Sequence, residues 1–256
     1  MQYLYRYQPF NDKSIRVFTH GELFFYSPSK LNDPFDSKIE FDCDNLSKED
    51  VRQFIEKTAK HGNLRQDINE LLKNILGSED NWKHNLKKQA LGILQPEINE
   101  LGLLSFSAIN DDILMWSHYA DGHKGFCLQF DKTGLESWKY SQSVDYDDKY
   151  LTFREFNNAF PEDNEKMVHI LLLRKSKHWK YEYEWRIIAK PDDDNSGNRY
   201  YKFPEELLTG VIFGCQMPND KKKIIKDFLK SRKSHIQFYE AKKKENEFAL
   251  EIKEIG

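Results

Sequence analysis

The sequence predicts an α+β protein, with a mixed and largely antiparallel sheet, short helices and an all-helical insertion at about residues 47–100. Short segments with the alternation typical of strands are mixed with short helical segments, and the two do not alternate regularly. Within the insertion, apolar residues recur instead at helical spacing. With 256 residues, of which 14% are aromatic, we expect one domain, 1–256, with a sizeable core.

The first part of the chain predicts strands around a turn. Residues 3–7 and 23–26 have the pattern of strands, and residues 12–19 between them fit a short helix or a loop. Residues 31–36 predict a turn, because Asn and Asp bond to their own backbone and Pro blocks continuation. Residues 38–41 alternate as another strand.

The insertion opens at Ser47, where Ser-Lys-Glu-Asp is a helix-capping signal. Apolar residues then recur three and four apart in three groups, and Gly77, Ser78 and Pro96 interrupt the pattern. We therefore expect about three helices here.

The second half mixes both kinds of element. Helices are predicted over 111–119, 165–174 and 218–232, and a polar loop over 191–198. Strands are predicted over 103–107, 125–130, 182–189, 211–215, 236–239 and 248–252.

Composition excludes several classes of protein. The net charge of -3 does not indicate a protein whose overall charge attracts nucleic acid. The lysine runs at 221–223 and 242–244 fit a solvated face. Cys43, Cys127 and Cys215 lie far apart without a Cys-x-x-Cys pair, so a zinc finger is not indicated. No stretch is apolar enough for a membrane span or a signal peptide, and we expect a cytoplasmic protein in a reducing compartment.

Familiar catalytic loops are missing from the sequence. It contains no Walker motif, no G-x-G-x-x-G and no G-x-S-x-G. P-loop NTPases, kinases, Rossmann dehydrogenases and ordinary serine hydrolases are therefore not expected.

Residues 105–131 contain the densest group of polar and aromatic side chains. Trp116 and Tyr119 lie three apart, on one helical face, and His118 lies beside them, so these residues could form a pocket wall. The alternative is that the aromatic residues belong to the core. His118 and His123 could bind a metal, but a third ligand at suitable spacing is missing, and no metal is expected.

Two further motifs each allow a structural and a functional interpretation. Asn32 and Asp33 either bond locally within their turn or face a ligand. Strand alternation places Glu182, Glu184 and Arg186 on one face. They either form the solvated face of an edge strand, with Arg186 paired to Glu184, or face a cleft in which Arg186 tunes the carboxylates.

Four segments in order resemble a mostly bacterial family, the domain-of-unknown-function 2971 family. They are residues 4–7, 32–36, 105–131 (with Met-Trp-Ser-His-Tyr-Ala at 115–120 and His-Lys-Gly at 123–125) and 179–186. The resemblance spans nearly the whole chain. It implies one compact domain and a bacterial or phage-related context, leaves a role in phage defence open and implies no activity.

A second resemblance concerns chemistry. Arg6, then Ser105-Phe106-Ser107, then Glu182-Tyr183-Glu184 resemble in order the three signatures of ADP-ribosyltransferases of the Arg/Ser-x-Ser/Glu-x-Glu class. The resemblance implies that Arg6 contacts the NAD phosphates and that Ser105, the first serine of the central motif, supports the catalytic glutamate, with Ser105 and Ser107 both counted among the NAD-binding residues. It implies that Glu184 stabilises the oxocarbenium-like transition state and that Glu182 orients or deprotonates the acceptor. The central motif is Ser-Phe-Ser rather than the commoner Ser-Thr-Ser.

Three functions remain open from the sequence. The first is an ADP-ribosyltransferase-like enzyme or NAD glycohydrolase, with NAD as co-substrate, a nucleotide as the small-molecule ligand and an unidentified macromolecular acceptor. The second is a non-catalytic sensor or binding module whose pocket is lined by Asn32, Trp116, His118, Tyr119 and Arg186. The third is a metal-dependent nuclease that uses acidic residues such as Asp33, Asp36 and Glu184.

Overall fold

A computed structural model describes residues 2–38, 40, 42–60, 67–159, 171–190, 199–230 and 236–255. The chain divides into two compact units. The first contains Met1–Tyr26, Gly102–Val144 and His178–Gly256, and the second contains Ser27–Leu101 and Asp145–Lys177. Helices and a largely antiparallel sheet confirm the predicted α+β class.

The strands are short, as their alternating patterns predict. In chain order they are β1 (Tyr3–Gln8), β2 (Glu22–Phe24), β3 (Gly102–Ser107), β4 (Phe126–Asp131), β5 (Ser141–Ser143), β6 (Asp145–Tyr146), β7 (Arg174–Lys175), β8 (Glu184–Ala189), β9 (Tyr200–Lys202), β10 (Leu208–Phe213), β11 (Gln237–Lys243) and β12 (Leu250–Glu254).

The helices are, in chain order, α1 (Arg16–Thr19), α2 (Lys48–Lys60), α3 (Ile68–Leu76), α4 (Trp82–Glu100), α5 (Ile113–Tyr119), α6 (Lys132–Trp138), α7 (Phe153–Ala159) and α8 (Asn219–Lys230). Short 3-10 helices cover Pro28–Lys30, Lys177–Glu182 and Glu205–Leu207.

The first unit is built on an eight-stranded sheet. Its strand order is β12-β11-β10-β4-β1-β3-β8-β5, and β2 pairs with β9 in a separate two-stranded sheet. Within the large sheet β10 and β11 are parallel, whereas the other pairs are antiparallel. The first strand of the chain therefore lies between strands that come much later in the sequence.

Apolar clusters cover both faces of the central strands of this sheet, whereas the edge strands β11 and β12 are partly exposed. On one face, Leu4, Phe106, Leu128 and Phe213 belong to a large apolar cluster that also takes in residues of α1, α6 and α8. Burying an apolar side chain of this size stabilises the fold by about 1.5–3 kcal/mol. The opposite face carries a smaller cluster that includes residues of α5. Because two layers cover the sheet, polar side chains within it need partners from the protein itself.

The second unit contains the predicted helical insertion. Its helices α2, α3 and α4 lie within residues 48–100, as the helical spacing predicts. Residues 145–177 add α7 and the parallel pair β6-β7 to this unit, which the sequence did not predict. The α7 helix begins with a capping box in which Thr152 and Glu155 bond to each other's backbone N–H groups.

Several predicted elements differ from the structure. The strand predicted over 182–189 begins at Glu184, because a 3-10 helix covers Lys177–Glu182. The β8 strand is also not an edge strand with a solvated face, since it lies between β3 and β5 and Arg186 is buried. The loop predicted over 191–198, most of the helix predicted over 165–174 and part of the strand predicted over 38–41 lie outside the described residues.

Candidate functional site

Three neighbouring strands of the large sheet carry the three signature segments. Arg6 lies on β1, Ser105 and Ser107 on β3, and Glu184 begins β8. The sheet places β3 directly between β1 and β8. Segments that lie about a hundred residues apart in the sequence thus become adjacent through strand pairing.

The strand register fixes which side chains are neighbours. Ser107 lies opposite Tyr5 on one side and opposite Glu184 on the other. Directly opposed residues of antiparallel strands share a face, so Tyr5, Ser107 and Glu184 form a row across the sheet. Ser105 lies opposite Arg186, two residues further along. Ser107, rather than Ser105, is therefore the serine next to Glu184.

Glu184 and Arg186 form a buried ion pair along one edge of this row. The guanidinium Nε donates to Glu184 Oε1 at 2.8 Å, and Nη2 donates to Oε2 at 2.9 Å. The side chains are only 5% and 1% exposed, respectively. Period-two alternation places residues two apart on the same face, which is why this contact forms within a single strand. The arrangement holds a fixed carboxylate in a largely water-free environment.

Glu182 is held by side chains from two other elements. Its Oε1 accepts a hydrogen bond of 2.6 Å from the hydroxyl of Tyr119 on α5. Its backbone carbonyl accepts one of 2.7 Å from Ser107 Oγ. Glu182 is 3% exposed, and it lies at the end of the 3-10 helix that leads into β8. Both signature carboxylates are therefore buried and fixed, two residues apart.

Arg6 bonds across the boundary between β1 and β3. Its Nη1 donates to the backbone carbonyl of Ser105 at 2.6 Å. With the side-chain oxygen of Gln8 turned towards it, Nε donates to that oxygen at 2.6 Å. Burial lowers the pKa of Arg6 to about 10, and the charges of Tyr26 and Glu184 partly oppose this shift. Because successive residues of a strand face opposite sides of the sheet, the side chain of Arg6 lies on the face opposite to Tyr5, Ser107 and Glu184. The structure therefore brings the three signature strands together without placing Arg6 and Glu184 on one face.

The helix α5 places Tyr119 beside Glu182 and buries Trp116 in the core. Asp112 caps the helix, because its Oδ1 accepts from the N–H groups of Leu114 and Met115. Trp116 is fully buried, with its ring 5.2 Å from that of Tyr7 and its Nε1 bonded to a backbone carbonyl.

His118 is an exposed residue of α5. Its ring centroid lies 6.5 Å from that of Tyr181, in the segment that precedes β8. Tyr119 reaches Glu182 from the same helix, so α5 lies beside the carboxylates, whereas Trp116 faces the core.

The predicted ligand residues Asn32 and Asp33 belong to the second unit. Asn32 is exposed, and Asp33 is buried and accepts a local hydrogen bond of 2.9 Å from the N–H of Phe35. Asp36 forms a buried ion pair with Lys175 at 3.5 Å, within the same unit. This local bonding matches the structural interpretation of the turn.

Tyr5 and Gln8 were missed by reasoning from the sequence. Tyr5 is the neighbour of Ser107 in the row, and burial raises its pKa to about 12. Gln8 supplies a polar contact to Arg6. Tyr5 lies within the segment 4–7 of the family resemblance, which gives it no role, and Gln8 lies outside the motifs. The pairing of β1 with β3 identifies Tyr5, and its position two residues from Arg6 on β1 identifies Gln8.

Across the described part of the chain, no group of three or more His, Cys, Asp and Glu side chains is arranged to hold a metal ion. Within the same ranges, no helix combines the length and apolar character that crossing a bilayer requires.

Comparison with known proteins gives one match. A family model described as "Protein of unknown function (DUF2971)" matches residues 115–187, which is less than a third of the chain. No curated protein and no solved structure matches this chain. The matched segment runs from α5 into β8 and so includes Tyr119, Glu182, Glu184 and Arg186. Over these residues the chain resembles the DUF2971 family, as the sequence motifs predicted.

Proposed function

We propose that this protein is an ADP-ribosyltransferase-like enzyme, or an NAD glycohydrolase, that cleaves the bond between nicotinamide and ribose. The observation that carries the proposal is the adjacency of β1, β3 and β8, with Ser107 opposite Glu184. Three short signatures could occur in any long sequence by chance. The pairing of Ser107 with Glu184 is an independent observation that favours a common site for these two residues, whereas Arg6 lies on the adjacent β1 with its side chain on the opposite face.

Glu184 is the residue we expect to stabilise the transition state. Breaking the nicotinamide–ribose bond leaves positive charge on the sugar, and nicotinamide departs with the electron pair of that bond. A fixed carboxylate in a water-poor site stabilises such charge without having to reorganise. Arg186 holds Glu184 in place through two hydrogen bonds and favours its charged form.

Glu182 is the residue we expect to act on the acceptor. An acceptor hydroxyl or amine adds to the ribose carbon and loses a proton, which the Glu182 carboxylate accepts. Tyr119 and Ser107 hold this residue through its carboxylate and its backbone carbonyl, respectively. Because one bond fixes the backbone of Glu182 and the other fixes its carboxylate, the carboxylate has the defined position that proton transfer requires.

Arg6 is the residue we expect to bind the pyrophosphate of NAD. Guanidinium groups bind phosphate oxygens through paired hydrogen bonds. The Nη1 atom is bonded to the Ser105 carbonyl, whereas Nε faces Gln8, a side chain that can rotate away. We therefore expect phosphate oxygens to replace the side-chain oxygen of Gln8.

The test is release of nicotinamide from labelled NAD by the purified protein, alone and with cell lysate as a source of acceptor. We expect Glu184→Gln to lower the rate by roughly 100-fold or more. Glu22→Gln is the matched control, because Glu22 also pairs with an arginine, Arg16, in the first unit. Equal background rates for wild type and Glu184→Gln would contradict the proposal.

The second candidate function is a non-catalytic binding module, and the buried Glu184–Arg186 pair favours it. A carboxylate already bonded to a guanidinium at 2.8 and 2.9 Å is stable without a substrate. This candidate predicts that NAD or a related nucleotide binds without turnover. Calorimetry beside the nicotinamide assay separates the two functions.

We propose a reducing cytoplasm as the compartment and bacterial defence against phage as the context. The three cysteines are free thiols, which fits the first of these. Plaque counts on cells that express the wild type or Glu184→Gln test the second. If the wild type and Glu184→Gln protect the cells equally, defence against phage does not depend on NAD cleavage.

A further inference from the structure

The second unit contains a cavity of about 190 Å³ beside the first turns of α2 and α7. Its lining, which belongs entirely to this unit, includes Asp42, Leu46, Asp50, Phe153, Arg154 and Asn157. Pockets for drug-sized ligands measure roughly 300–1,000 Å³, whereas roughly 10–15 Å³ is enough to hold one water molecule. The cavity is therefore suited to a small molecule and is larger than a single bridging water requires.

Backbone bonds and a helix cap hold the lining of the cavity in place. Asp42 and Thr152 form a parallel bridge, and the Phe153 N–H donates to the Asp42 carbonyl at 3.2 Å. At the start of α2, Asp50 Oδ2 accepts from the Ser47 N–H at 2.9 Å and from its hydroxyl at 2.6 Å. Because these bonds lie within the protein, a ligand does not have to order the lining when it binds.

One acceptor in the lining is buried and unused. Asn157 Oδ1 is removed from water and has no hydrogen-bond partner within the described part of the chain. Buried polar atoms are almost always bonded, so an exception calls for a missing partner. Because Asn157 lines the cavity, a ligand that carries an N–H group can supply the donor.

Charges of both signs line the cavity with bonding capacity to spare. Asp42 uses one oxygen to accept from the Asp44 N–H, and Asp50 uses one to accept from Ser47. The second oxygen of each carboxylate has no protein partner in the ranges that the structure describes. Arg154 is exposed, and within the same ranges it forms no ion pair, although its charge helps to lower the pKa of Asp50.

We propose that this cavity binds a free amino acid with an apolar side chain. An amino acid is a small zwitterion, and its ammonium group carries three donors. These donors match the carboxylates of Asp42 and Asp50 and the amide oxygen of Asn157. The ligand carboxylate matches the guanidinium of Arg154, which can bind both of its oxygens.

The rest of the lining fits the apolar part of such a ligand. Leu46 is half-buried and Phe153 is buried, and both line the cavity. Apolar walls with a few polar groups that fix orientation are typical of small-molecule sites. Binding here does not depend on NAD cleavage, because Glu182 and Glu184 belong to the first unit.

The experiment is isothermal titration calorimetry of the full chain with three related probes. L-leucine carries both charged groups, isoamylamine lacks the carboxylate, and isocaproate lacks the ammonium group. Arg154→Met removes the exposed guanidinium, and Asp42→Asn removes one charge but keeps the oxygen that caps Asp44. Arg52→Met is the matched control, because Arg52 is an exposed arginine of α2 outside the lining.

We expect the wild type to bind leucine at least roughly tenfold more tightly than either isoamylamine or isocaproate. Arg154→Met should weaken leucine binding roughly tenfold and leave isoamylamine binding unchanged, so that this variant no longer distinguishes the two. Asp42→Asn should weaken the binding of both leucine and isoamylamine, and Arg52→Met should bind all three probes as the wild type does. Thermal unfolding of each variant without ligand shows whether it is folded.

Three results would overturn the inference. The first is a wild type that does not bind leucine. The second is isoamylamine binding as tight as leucine binding, which would indicate a simple cation site. The third is a folded Arg154→Met variant that binds leucine as the wild type does. None of these results bears on the release of nicotinamide from NAD, so the inference and the proposed function are tested separately.

Discussion

Glu184 and Arg186 form a strongly bonded ion pair, and removing either partner alone should destabilise the fold. Both side chains are almost completely removed from water, and each supplies two hydrogen-bonding atoms to the other. The desolvation of two charges roughly cancels their attraction, so the pair adds little net stability compared with apolar residues. Removing only one partner leaves an uncompensated charge in the interior.

Arg186→Ala should therefore lower the free energy of unfolding by about 3–5 kcal/mol. Glu184→Gln/Arg186→Met, which removes both charges, should recover a large part of this loss. The measurement is equilibrium unfolding in urea, with Arg16→Ala at the more exposed Arg16–Glu22 pair as the control. A loss from Arg186→Ala no larger than that of the control would contradict the burial of the pair.

Tyr119→Phe should change the stability of the fold only slightly and so test the role of Glu182 in the reaction. The variant keeps the ring and removes the hydroxyl that donates to Glu182 Oε1 at 2.6 Å. We expect a loss of about 1–2 kcal/mol in unfolding free energy. If Glu182 activates the acceptor, transfer to acceptor should fall more than hydrolysis of NAD. The two products can be counted in one assay, and a parallel fall in both would contradict this role of Tyr119.

At the scale of elements, caps determine where the helices begin. Asp112 caps α5, and Thr152 with Glu155 caps α7. Glu155 also bonds to Arg174 of β7 at 3.0 Å. The hydrogen bonds from Thr152, followed by those from Arg174, lower the pKa of Glu155 to about 2. This carboxylate therefore couples helix capping in the second unit to pH.

Glu155→Gln should destabilise the second unit by up to about 1 kcal/mol near neutral pH, since the carboxyl is partly exposed. The pKa of Glu155 in the folded protein, about 2, lies below the ordinary glutamate value of 4.5, so the stabilisation is fully present above pH 4.5. It should disappear as pH falls from 4.5 towards 2. Urea unfolding at several pH values measures the difference between wild type and variant. A difference that stays constant over that range, or an equal one in the exposed control Glu251→Gln, would contradict the linkage.

At the scale of the whole molecule, stability depends on packing rather than on disulfides. All three cysteines are free, and Cys127 is completely buried in the large sheet. Burial raises the pKa of Cys127, so very little reactive thiolate forms near neutral pH. The pKa values of Cys43 and Cys215 are also raised, again chiefly by burial.

A reductant should therefore leave Tm unchanged, and the folded protein should react slowly with a thiol-specific disulfide reagent. Cys127 should react last of the three, because it is the most buried. Mass spectrometry after timed labelling gives the order, and labelling in urea provides the fully reactive reference. Rapid labelling of Cys127 in the folded protein would mean that the sheet opens locally far more often than its packing implies.

Local patterns predicted most elements but not their neighbours. A period in the sequence shows which side of an element is buried, and a few adjacent residues are enough to reveal it. This is why alternation predicted β1, β3 and β4, and helical spacing predicted α2, α3 and α4. Short strands such as β5 and β7 were missed, because they contain too few residues for a period to show. The start of β8 was misplaced, since the left-handed turn at Tyr183 is unusual for that residue.

The sequence by itself determined the α+β class, the helical insertion and the order of the Arg, Ser-x-Ser and Glu-x-Glu segments. Only the tertiary structure decided that β1, β3 and β8 are neighbours, that Ser107 lies opposite Glu184 and that Tyr119 holds Glu182. The physical reason is that periodicity is a local property of the chain. Strand register instead depends on contacts between distant residues, and a shift of one residue reverses every face.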